Sequence, residues 1–96
     1  MEPPQLYLNL AEEAGREGAH VASVMYYRTA AELTTANEEL KIILEAVIKY
    51  ASKLKKPMDQ LATYNWALRV IVGRLQSEPL EKIVTSEMAK IMQHSE

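Results

Sequence analysis

Apolar residues recur along this chain at helical spacing, and no stretch alternates as a half-buried strand would. Leu6, Leu10, Ala11 and Ala14, with Tyr7, fall on one face of a short first helix. Pro4 suits its first turn, because proline lacks only an N–H that the first turn leaves unpaired, and Gly15 and Gly18 supply the stop. From Ala19 onward, Ala22, Met25, Tyr26, Thr29, Ala30 and Leu33 mark a second helix of small and aromatic residues, the kind that lets two backbones approach closely. The two read as a tight antiparallel hairpin.

A break is expected at Thr34-Thr35-Ala36-Asn37, with Thr35 and Glu38 spaced as a capping box. The third helix carries the clearest stripe, Leu40, Ile43, Leu44, Val47, Tyr50, Ala51 and Leu54, with Lys41, Glu45, Lys49 and Lys53 opposite. Lys53, Lys55 and Lys56 would complement the negative end of its dipole, and Pro57 prevents continuation. The fourth helix, from Pro57 to Gln76, is apolar around most of its circumference, so it must be covered on several sides; Gly73 within it reads as a site of close packing. Ser77-Glu78-Pro79 starts a fifth, with Leu80, Ile83, Val84, Met88 and Ile91 on its apolar face. The expected fold is an all-α bundle of four to five helices, opening with the hairpin and forming one domain over residues 1–96, with 1–4 and 94–96 frayed.

Composition narrows the picture. With 48% apolar and 25% charged residues in a chain of 96, there is material for one core, and charge interrupts every run long enough to span a membrane. There is no Cys, which excludes disulfides, thiolate nucleophiles and Cys-ligated metals. Met1-Glu2-Pro3-Pro4 does not lead a basic segment into an apolar one, so a cytoplasmic location is expected. The net charge of −2 argues against a surface built entirely for nucleic acid, yet it is unevenly spread, −5 up to Leu40 and +3 from Lys41 onward.

The chemical motifs are thin. Glu17 and His20 have a carboxylate-bridged-metal spacing, but they straddle Gly18 at a turn, and such sites need carboxylates from several helices. His94 lies in the tail, and two His without Cys assemble neither a triad nor a zinc site. Gly15-Arg16-Glu17-Gly18 matches a nucleic-acid-clamping Gly-x-x-Gly pattern only in its letters, since that loop belongs to an α/β module. No enzyme, metal site or cofactor is expected.

The run Tyr7-Leu8-Asn9-Leu10-Ala11, the turn at Gly18 and the run Tyr26-Tyr27-Arg28-Thr29-Ala30-Ala31-Glu32-Leu33 resemble one tetratricopeptide repeat spanning residues 6–35. The resemblance places that family's first-helix aromatic on Tyr7, its leucine on Leu10, its small residue on Ala11, its turn glycine on Gly18, and its second-helix aromatic and alanine on Tyr27 and Ala30. Ser23 stands where a small alanine is usual and Thr35 where a closing proline is expected; one repeat length later, Glu45 and Ser52 replace the small residue and the turn glycine. With the third helix added, the hairpin is also similar to the microtubule-interacting and trafficking domain, a three-helix bundle that binds short segments of partner proteins.

Both resemblances imply peptide or protein binding; with no catalytic constellation in the residues, the expected function is a non-catalytic protein-interaction module, and an exposed patch on the apolar fourth helix would bind a partner helix or a second copy of the chain. Residues expected at such a surface are Tyr26 and Tyr27 on the hairpin and Tyr64, Trp66 and Val70 on the fourth helix, because aromatic residues concentrate where interfaces are tightest. The alternative is a small nucleic-acid-associated protein using Lys49, Lys53, Lys55 and Lys56, with Arg69 and Arg74 nearby. Against it, the would-be recognition helix after Pro57 lacks a polar, donor-rich face.

Overall fold

The structure is a computed structural model and describes residues 4–94, His94 by its backbone alone. It is an all-α bundle of five α-helices: α1 Pro4–Arg16, α2 His20–Leu33, α3 Asn37–Ala51, α4 Pro57–Val70 and α5 Glu78–His94, with a π-helical turn, Ile71–Leu75, continuing α4. The frayed ends expected from the sequence lie outside the described residues, except that Pro4 and His94 are themselves helical termini. Successive helices pack in chain order, the α1–α2 interface being the most extensive, and the Cα atoms span 43 × 31 × 16 Å. In so thin a slab, a helix can bury one face against its neighbours and present another outward.

The hairpin is held at close range. Gly18 turns the chain at φ +81°, a conformation that glycine adopts without a Cβ penalty. Ala11, Ala30 and Ser23 are fully buried, and Ser23 Oγ donates to the Ala11 carbonyl at 2.7 Å. The position where the resemblance led one to expect alanine therefore carries a hydroxyl that bonds the two helices together.

α2 ends at Leu33 and the chain runs extended through Thr34 and Ala36, which places a break where the sequence reading put one. The capping box does not form: the N-cap of α3 is Ala36, one residue past Thr35, with no side-chain cap. α3 also stops earlier than its stripe suggests. Lys53 N–H donates to the Tyr50 carbonyl and Leu54 N–H to that of Ala51, i→i−3 bonds that tighten the last turn and end the helix. Beyond it, Lys56 must be extended before Pro57, and its φ −96°, ψ 126° meets that requirement. Gln60 Nε2 ties the turn down by donating to the Leu54 carbonyl at 2.7 Å, and Leu54 is buried although it lies outside the helix.

The core runs through all five helices. Leu40, Ile43, Leu44 and Val47 come from α3, Tyr64, Trp66 and Ala67 from α4, and Leu80 and Val84 from α5. Gly73 is not a packing glycine, because a Cβ there would meet nothing within 4 Å. The close approach lies at Gly15, where a Cβ would come within 3.0 Å of the Tyr50 hydroxyl oxygen.

Past α4 the ladder widens, and Gln76 N–H reaches back to the Ile71 carbonyl, an i→i−5 bond. Gln76 then closes the turn in the left-handed conformation at φ 55°, where an L side chain costs about 1–2 kcal/mol relative to the right-handed region. Gln76→Gly is expected to raise stability by about 0.5–1 kcal/mol after its larger unfolded-state entropy is subtracted. An upward shift of the urea midpoint at unchanged slope would show it.

Candidate functional site

The side chains that pack α1, α2 and α3 together at the Gly18 end of the bundle are aromatic. The Tyr50 ring stacks on Tyr27 with centroids 5.8 Å apart and lies 6.1 Å from the ring of His20. His20 Nδ1 is buried there without a hydrogen-bond partner. Two of the four lysines in the sequence cluster are drawn to the same ring, Lys53 Nζ at 5.1 Å and Lys49 Nζ at 5.9 Å from the Tyr50 centroid, within range of a cation–π attraction.

A groove opens beside this cluster between α2 and the first half of α4. Its lysine end, about 410 Å³, is lined by His20 and Val21 from α2 and by Lys53, Lys55 and Lys56 from the α3–α4 turn. It runs on into a second section of about 120 Å³, with Val24, Met25 and Arg28 on one wall and Ala62 and Thr63 on the other. Val21, Leu54 and Asp59 line both sections and make the groove continuous. Val21 and Met25 are one helical turn apart and more than half exposed, at 58% and 55%, so the upper part of the α2 wall is apolar surface in water. Along α2, from His20 to Arg28, the groove is ~12 Å long at 1.5 Å per residue, between two and three turns of a helix.

No protein-family model, curated protein or solved structure matches this chain.

The residues expected at an interface from the sequence lie elsewhere. Tyr27, Tyr64 and Trp66 are core, exposed by 6%, 1% and 7%, and Tyr26 and Val70 are half-buried against that core. Tyr64 and Trp66 are interior because α4 is the helix on which α3 and α5 both pack, so its aromatic side is the side its neighbours cover, and Tyr27 is interior because α3 packs on α2 and stacks Tyr50 against it. The lysines divide. Lys53, Lys55 and Lys56 reach the groove, whereas Lys49 does not. Arg74 belongs to no basic surface, because its guanidinium is bonded to the carboxyl end of α2. Glu17 sits exposed at the turn while His20 packs on Tyr50; among the described residues no three His, Asp or Glu side chains converge as a metal would need. No helix among them is long and apolar enough to cross a membrane.

Sequence reasoning missed Val21, Met25 and Ala62 as groove residues. A signal was present on α2: Val21, Val24 and Met25 form a second apolar stripe beside the one carrying Ser23, Tyr27, Ala30 and Ala31. A helix with two such stripes has one more apolar face than its own hairpin partner can cover.

Burial raises the hydroxyl pKa of both core tyrosines above the ordinary 10.0, with a smaller push from Tyr50 and Glu12 on Tyr27 and from Glu87 on Tyr64. Their folded pKa values exceed the unfolded ones, so the stability they contribute is fully present below about pH 10 and is lost as the pH climbs through the folded values. The urea midpoint is therefore expected to fall steeply on the alkaline side of that point. Tyr27→Phe with Tyr64→Phe should flatten the fall, and an unchanged alkaline slope in the double variant would contradict this assignment.

Proposed function

We propose that this chain is a non-catalytic, cytoplasmic protein-interaction module whose docking surface is the α2–α4 groove. The observation that carries the reading is the pair Val21 and Met25, large apolar side chains exposed side by side along a concave strip with Val24 and Leu54 buried at its base. A short helix laid in an apolar groove buries its i, i+3, i+4 and i+7 side chains, and a strip between two and three turns long suits that mode. Met25 adds a flexible, polarizable wall that can adapt to its occupant.

The test is capture from cell lysate by the tagged full chain, with and without nuclease, comparing wild type with the double variant Val21→Glu, Met25→Glu. The reading expects proteins that survive nuclease and are lost from the double variant, while its circular dichroism and melting temperature stay near those of the parent, since both side chains already face water. Capture that vanishes with nuclease, and with Lys55→Glu plus Lys56→Glu, would assign the surface to nucleic acid instead.

A further inference from the structure

The groove is two kinds of surface at once. Its base and the α2 wall are apolar, but its rim is cationic: Lys53, Lys55 and Lys56 stand at one end and Arg28 at the other, and Asp59 is the acid between them. Arg28 is held in place, its guanidinium carbon 5.1 Å from the centroid of the Trp66 ring. The start of α4 adds to the same end. Its N-cap, Lys56, provides no side-chain oxygen for the first-turn N–H groups, and the acid in that turn is Asp59 itself, so one carboxylate faces both the positive pole of the helix and the cationic rim.

We propose that the occupant of this groove is an acidic amphipathic helix supplied by a different protein, with apolar side chains on the Val21, Met25 and Leu54 strip and Asp or Glu side chains directed at the rim. The proposal rests on the reading of the groove as a docking surface and adds the chemistry of what docks. Charge complementarity selects the acidic partner, because a basic or neutral helix would leave four cations facing like charge or nothing across a narrow gap.

The chain's own surface argues against a second copy. The exposed acids Glu12 and Glu13 of α1, with Glu17 in the turn after it, are accompanied by one large exposed apolar residue on that helix, Leu6, which is too little to fill the strip. On α3 and α5 the exposed Ile42 and Ile83 sit next to Lys41 and Lys82. Among the described residues, no outer helix face combines repeated apolar side chains with uniform negative charge.

The experiment is selection from a displayed library of random peptides of about 16 residues, long enough for four helical turns, on the immobilised full chain. Enriched peptides are then synthesised and titrated by fluorescence anisotropy at about 0.05 M and 0.5 M salt, across which the screening length falls severalfold. The proposal expects peptides with apolar residues at helical spacing flanked by Asp or Glu. Their affinity should fall tenfold or more at the higher salt and by a similar factor in Lys53→Glu, Lys55→Glu, Lys56→Glu, chiefly through slower association. The milder Lys→Gln triple variant should show a smaller loss in the same direction.

Peptides that bind through Val21 and Met25 but are neutral or basic would overturn this proposal and leave the docking surface standing. An absence of any peptide sensitive to Val21→Glu, Met25→Glu would remove both. A concentration-dependent dimer in sedimentation equilibrium that dissociates in that double variant would give the groove to a second copy.

Discussion

Trp66→Ala is expected to lower the unfolding free energy by about 3–5 kcal/mol, the range for truncating a large aromatic inside a core. Trp66 is 7% exposed, and its ring is covered by the core on one side and by the Arg28 guanidinium on the other. A domain of this size has a total stability of about 5–15 kcal/mol, so the variant would retain a fraction of its margin and melt on the order of 20 °C lower. Arg28→Ala serves as the control. It removes the cation–π contact, about 0.5–1 kcal/mol at a partly exposed site, and leaves the indole packed. Loss of binding in Trp66→Ala would thus report unfolding or the release of Arg28 at the groove rim, and not contact of the indole with a partner. A loss of under 1 kcal/mol, with binding abolished, would return Trp66 to the surface and refute the packing described here.

That contrast shows what a periodic pattern can and cannot convey. The α3 stripe was readable because its helix has one apolar face: Leu40, Ile43, Leu44, Val47 and Ala51 are all buried, and Leu54 stays buried even where the helix has ended. α4 gave no such guidance. Its apolar residues surround the helix, and spacing alone does not tell that Tyr64 and Trp66 turn inward while Met58, at 76% exposure, turns out. The aromatic side of α4 belongs to the core, and the exposed strip lies instead on α2 at Val21 and Met25, where the small residues alongside make the hairpin contact the stronger signal. The early end of α3 was hidden for a different reason. The i→i−3 bonds at Lys53 and Leu54 end the helix, and Gln60 of α4 holds the turn by bonding back to the Leu54 carbonyl, a contact between elements that neither helix carries in its own pattern. The lysine cluster was visible as composition; its division between the Tyr50 ring and the groove rim was not, because that depends on how tightly the chain turns before Pro57.

Arg74 is the residue whose role was furthest from legible, and removing it carries the second large effect. Its Nη1 donates to the Ala31 carbonyl at 2.9 Å and its Nη2 to the Thr34 carbonyl at 2.7 Å, across about forty residues of chain. α2 has no basic residue in its own last turn, so this guanidinium supplies the positive charge that complements the carboxyl end of the helix dipole. It also pins the Thr34–Ala36 link to the π-helical turn, fixing the angle at which α2 hands the chain to α3. Arg74→Ala is expected to cost about 1–3 kcal/mol, the range for hydrogen bonds to a charged group, tempered by the solvent exposure of the side chain. Arg74→Lys should recover less than half, because a single ammonium cannot reproduce the fork that meets two carbonyls at once. Amide hydrogen exchange separates this role from a general loss of stability: in Arg74→Ala the last turn of α2 and the Thr34–Ala36 link should exchange faster than α4 and α5, whereas uniform acceleration, or full rescue by Lys, would show that the two bonds do not act as the clasp between α2 and the π-helical turn.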